Sequence, residues 1–180
     1  MPLPLLRAGA LALAAVLLAG CGGDKPTYVN PTSGPLPTSA SAKELATTVS
    51  PGCAWTVLSA AQTGSAETDQ TLFCAAEYLF LTLSVQSTAD TVEGIEKGMA
   101  QSDGYFCEWW GVADVMYPLL QEKGAIPKTL NGSDAPTSAG GVVMGGNWTI
   151  ITPDVATADR VAATTHGYLL TAPEDCPSPS

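Results

Sequence analysis

From Tyr78 to Val85 the chain alternates: Leu79, Leu81, Leu83 and Val85 face one way, Tyr78, Phe80, Thr82 and Ser84 the other. Period two is the pattern of a strand with two distinct faces. The period then changes. Ser87-Thr88-Ala89-Asp90 has capping-box spacing, and Val92, Ile95 and Met99 recur at helical intervals, which predicts a helix with one apolar stripe. Upstream, Glu67 to Glu77 is a short apolar run without clean alternation. It is read as a helix carrying Leu72, Phe73 and Cys74 inward.

A second strand–helix unit follows late in the chain. Val142-Val143-Met144, Gly145-Gly146 and Asn147-Trp148 form a hairpin pattern that feeds a strand over Trp148–Thr152. Gly140-Gly141 and Gly145-Gly146 are read as flexible hairpin positions. Pro153 fits the first helical position with Thr152 as its cap. Val155, Ala158, Val161 and Ala162 give the buried face, His166 the last turn, and Gly167 the stop. The segment Thr88-Ala89-Asp90-Thr91-Val92 also lines up with Thr157-Ala158-Asp159-Arg160-Val161. Duplication and chance similarity of two Ala/Thr-rich helices both account for that match. The expected fold is α+β: a small antiparallel or mixed sheet with helices packed on one face, supported by disulfides.

Between the units, Phe106, Trp109, Trp110, Ala113, Met116, Tyr117 and Leu120 fall on one helical stripe. Pro118 is expected to kink or break that helix, because its ring meets the carbonyl four residues back. Trp109 and Trp110 stand about 100° apart on a helix of 3.6 residues per turn. One of them is therefore a candidate ligand or partner surface, with core packing as the preferred alternative. Gly94 and Gly98 share one side of the preceding helix, where each is unfavourable relative to alanine. Close approach of another backbone, within the fold or from a partner, would explain them. Residues 128–141 read as a loop.

The amino terminus has a different composition. Arg7 precedes an Ala-, Leu- and Val-rich run from Ala8 to Leu18, an export-signal pattern too short for the roughly 20 apolar residues of a membrane-spanning helix. It ends in Leu18-Ala19-Gly20-Cys21, followed by Gly22-Gly23. Small residues closing on cysteine resemble a bacterial lipobox, and the Ala/Gly/Pro/Thr bias is similar to that of actinobacterial lipoproteins. The resemblance implies cleavage before Cys21, a thioether-linked diacylglycerol on Cys21 and acylation (palmitate or similar) of the new amino terminus. It covers residues 1–21 only. The expected organisation is a signal peptide at 1–20, a lipidated Cys21 with a Pro/Ser/Thr-rich tether at 21–42, a globular domain at 43–172 and a loose tail at 173–180. A semi-extended tether of that composition would reach about 60 Å at ~3.1 Å per residue.

Charge and cysteine content narrow the partners. The chain past residue 20 holds all 17 acidic residues and six of the seven basic ones. So acidic a surface is a poor match for nucleic acid, whose binding needs clustered Lys and Arg. Attachment to a membrane would rest on the lipid. Beyond Cys21 the cysteines are Cys53, Cys74, Cys107 and Cys176, an even number that suggests two disulfides in an oxidising compartment. Three pairings are open. No CxxC spacing accompanies the lone His166, so no metal site is expected. No GxSxG elbow, P-loop or dinucleotide fingerprint is present, and no cofactor or catalytic residue is assigned. Glu93 and Glu96 read as a solvated helix face. The expected function is a non-enzymatic interaction or accessory module of the cell envelope, lipid-anchored on the extracytoplasmic face of the cell membrane. The alternative is a small-molecule or lipid-binding lipoprotein with an apolar pocket, and a hydrolase using His166 comes third.

Overall fold

A computed structural model describes residues 27–85, 89–101, 105–130 and 132–171. In chain order the elements are α1 (Ala42–Val49), β1 (Trp55–Leu58), α2 (Ala60–Thr63), β2 (Gln70–Cys74), β3 (Leu79–Leu83), α3 (Val92–Gln101), α4 (Tyr105–Glu122), β4 (Thr129–Leu130), β5 (Ser133–Asp134), β6 (Gly141–Met144), β7 (Trp148–Thr152), α5 (Val155–Thr165) and β8 (Tyr168–Leu170). Six strands form one antiparallel sheet in the order β1-β2-β3-β7-β6-β8, and β4 pairs with β5 as a separate hairpin. The class is α+β.

Alternation builds two cores from this sheet. Leu72, Cys74, Leu79, Leu81, Val143, Ile150 and Leu169 face α1 and α5, meeting Leu45, Val49, Val161 and Ala162. The intervening Phe73, Phe80, Val142, Ile151 and Leu170 face the other side, where Val92 and Ile95 of α3 and Tyr117 and Leu120 of α4 cover them. The helices therefore lie on both faces, and the expectation of one helical face is corrected. The central strands are apolar on both sides, and each side needs its own cover.

The same physics explains β2. Thr71, Leu72, Phe73 and Cys74 are all buried. The run loses its alternation and mimics an inward helix face, yet it pairs residue by residue with β3, from Gln70–Leu83 to Cys74–Leu79. The helix read over Glu67–Glu77 is replaced by this strand. Tyr78 closes the β2–β3 turn at φ 53°. Its carbonyl accepts the hydroxyl of Tyr117 at 2.8 Å, so the turn is held by a side chain from the opposite layer.

Other local expectations shift by a residue or two. α3 is capped by Thr91, whose hydroxyl accepts from the Gly94 amide at 3.1 Å; Ser87 and Thr88 lie outside the described residues. α5 is capped by Asp154, not Thr152: its carboxylate accepts from the Thr157 amide at 2.7 Å. Thr152 is fully buried and donates to the Gly141 carbonyl. The helix stops at His166, which takes the left-handed conformation itself at φ 55°. Pro118 sits inside α4, which runs unbroken to Glu122.

Gly140 and Gly145 flank β6 where neighbouring atoms leave no room for a side chain. A Cβ at Gly140 would stand 2.0 Å from Asp154 Cα, and one at Gly145 would stand 2.1 Å from the Trp148 ring. These are packing positions, not flexible ones. The proposed duplication does not superpose equivalent places: Val92 opens α3, whereas Val161 lies past the middle of α5.

Candidate functional site

The segment expected as a free tether is bound to the domain from Thr27 onward. The Thr27 amide and hydroxyl both donate to Asp159 on α5, the hydroxyl at 2.7 Å, and the Tyr28 amide donates to the same carboxylate at 3.3 Å. Two residues on, Asn30 reaches the edge strand β8. Its amide nitrogen donates to the Leu169 carbonyl at 2.8 Å, and its carbonyl accepts from the Leu169 amide at 2.6 Å. A single side chain thus completes the ladder of an edge that would otherwise offer unpaired backbone groups.

The chain then crosses to the other face. Pro35 bridges Thr91, and the Leu36 amide donates to the Asp90 carbonyl at 2.9 Å. The Leu36 side chain is 4% exposed and belongs to the core under α3 and α4. At the β6–β7 turn, the Gly146 amide donates to the Pro37 carbonyl. Ser39 and Asn147 exchange two bonds, at 2.9 and 2.8 Å. Residues 27–41 form a strap that runs over the β8 edge and ends at the Ser41 cap of α1. Composition conceals this, because a Pro- and Ser-rich stretch needs only one buried leucine and a series of backbone and amide contacts to dock.

The carboxyl of Asp159 responds to this arrangement. Partial burial pushes its pKa up, but the hydrogen bonds from Thr27 and Tyr28 outweigh that and leave it below the usual carboxylate value. Next to it, Arg160 ties α5 to its neighbours. Its guanidinium donates to the Val49 carbonyl at the end of α1 and pairs with Glu77 at 2.5 Å. Glu77 also accepts from the Ser50 hydroxyl. The pair is about two-fifths exposed, so its role is alignment more than stability.

Two open grooves border the strap. One, of about 770 Å³, lies between Tyr28 and Val29 on the strap and Val155, Ala156 and Ala163 on α5. The other, of about 490 Å³, lies between Pro37–Ala40, α1 and the end of α5. Both are open to solvent.

Among the described residues, those singled out in the sequence lie on different elements. Cys53 and Cys74 form a disulfide, with Cα atoms 6.0 Å apart, that ties the segment before β1 to the buried end of β2. Cys21 and Cys176, and the side chains of Cys107, Trp109 and Trp110, lie outside the described residues. Gly94 and Gly98 are exposed on α3. A Cβ at Gly94 would meet only Thr91 and Ala89, and one at Gly98 no described atom within 4 Å. His166 is exposed at the end of α5, on the face opposite Glu93 and Glu96 of α3, which are solvent-facing as expected. No cluster of three or more His, Cys, Asp or Glu side chains suited to a metal occurs among the described residues. No described helix is long and apolar enough to cross a membrane. No family model, curated protein or solved structure matches this chain.

Proposed function

We propose that this is a lipid-anchored extracytoplasmic lipoprotein whose domain acts as a non-enzymatic interaction or accessory module of the cell envelope. The observation that carries the reading is the run from Arg7 through the apolar Ala8–Leu18 to Leu18-Ala19-Gly20-Cys21-Gly22-Gly23. The Cys53–Cys74 disulfide supports an oxidising compartment. The grooves beside the strap are open and not enclosed, a form that suits contact with a partner surface. The anchor would act by confinement, raising the effective concentration of the domain at the membrane without adding a contact. Replacing Cys21 by serine tests this. The wild-type chain is expected in the membrane fraction and Cys21→Ser in the soluble fraction; a Cys21→Ser chain that is still cleaved and still sediments with membranes would refute the reading.

A further inference from the structure

The strap changes what an anchor at Cys21 would do to the domain. Resting on the lipidation reading above, we infer that the domain is held against the membrane in one orientation, with the outer face of α5 and the β8 edge turned towards the lipid surface. Five residues separate Cys21 from Thr27, six steps along the chain, and a fully extended chain covers at most about 3.3–3.6 Å per step. Thr27 therefore lies within roughly 20 Å of the anchored residue, whatever the linking residues do.

Thr27 itself is fixed to the middle of α5 through Asp159, and Asn30 is fixed to β8. The linker thus meets the domain at one place on its surface, and the reach is a third of that expected for a free tether. The surface there suits a lipid interface. Val29 is 82% exposed, and Tyr28, Val155, Ala156 and Ala163 border the same open groove. The tyrosine offers an apolar ring with a polar tip, a combination favoured at the boundary between lipid and water. At the far end of the sheet, β1 is five strand spacings from β8, or about 24 Å at ~4.8 Å per spacing. Its Val57 is 74% exposed and, paired with Leu72, lies on the α1/α5 side of the sheet but at the edge farthest from the strap's contact with β8. The anchor then does more than confine: it presents the β1 side of the domain to whatever it meets in the envelope.

The test uses the full lipidated protein in phosphatidylcholine vesicles that contain lipids with a nitroxide headgroup. A fluorescent amino acid is introduced by codon suppression at Ala163, or separately at Val57, both exposed positions. Mass spectrometry of the amino-terminal peptide verifies lipidation in each sample. Quenching at Ala163 is expected to exceed that at Val57 several-fold. Equal quenching in a chain shown to be lipidated overturns the orientation and leaves the anchor standing; an unlipidated chain overturns the anchor and the orientation with it. Asn30→Ala combined with Asp159→Ala is expected to release the strap and bring the two positions to similar quenching while lipidation persists. A released variant that keeps its fold by circular dichroism and also keeps the asymmetry would show that the strap does not set the orientation. Should that variant fail to fold, the comparison of the two positions in the otherwise unaltered chain decides.

Discussion

Leu36→Ala measures whether the strap belongs to the fold. Leu36 is 4% exposed and packs in the core that contains Phe80, Tyr117 and Ile151. Truncating a buried leucine to alanine costs about 2–5 kcal/mol, the lost transfer energy plus the cavity left behind. For a domain of this size, each kcal/mol moves the melting temperature by roughly 2–4 °C. A loss of about 3 kcal/mol therefore lowers the midpoint by about 6–12 °C. The assay is thermal unfolding by circular dichroism on the chain from Gly22 onward. Val29→Ala serves as the control: it lies on the same strap, but its side chain is 82% exposed, so its midpoint is expected to stay within about 1 °C. Asn30→Ala adds a second reading, because it removes both bonds to Leu169 at about 0.5–1.5 kcal/mol each. If the strap detaches as a unit, the double variant loses less than the sum of the singles. A midpoint for Leu36→Ala within about 2 °C of the wild type would refute the docked strap and restore a free tether.

Two further outcomes follow from the same contacts. The Cys53–Cys74 bond closes a loop with a sequence separation of 21, so changing both cysteines to alanine is expected to cost about 3 kcal/mol in urea unfolding; a change below about 1 kcal/mol would show that the bond does not constrain the unfolded chain. The lowered pKa of Asp159 links the strap to pH. A carboxylate whose folded pKa lies below its unfolded value contributes stability that is full above about pH 4–5 and is lost as pH falls through the depressed folded value. Protease access to residues 27–30 is therefore expected to rise on acidification in that window. Asp159→Asn should remove this pH dependence, and an unchanged acid response in that variant would assign it to another group.

The parts of the fold that were legible in the sequence are those where residue type changes at a regular interval along the element. Leu79, Leu81 and Leu83 alternate with Phe80 and Thr82, and that alternation marked β3. Ala158, Val161 and Ala162 marked α5, whereas Val155, expected on the same buried face, borders the open groove instead, and the Gly145-Gly146 turn marked the β6–β7 hairpin. β2 was obscured because both of its faces are buried, which removes the periodic signal. α1 is amphipathic, with Ala42, Leu45, Ala46 and Val49 recurring on its buried face, but it is only about two turns long and adjoins the Pro/Ser-rich segment, which drew the reading towards a tether. The strap was misread because its docking depends on Leu36, Asn30 and main-chain groups, none of which alters the composition of a Pro-rich segment. Of the functional residues, Cys21 was legible as part of a local processing pattern. Asp159 and Asn30 gave no local signal, since their partners lie 132 and 139 residues away.

The central claim is attachment through Cys21, and the most direct measurement is the mass of the amino-terminal peptide of the protein purified from membranes. The account predicts a peptide that begins at Cys21 and carries a diacylglycerol on its sulfur, with or without a further acyl chain on its amino group. A peptide that begins elsewhere, or one with an unmodified Cys21, would contradict it.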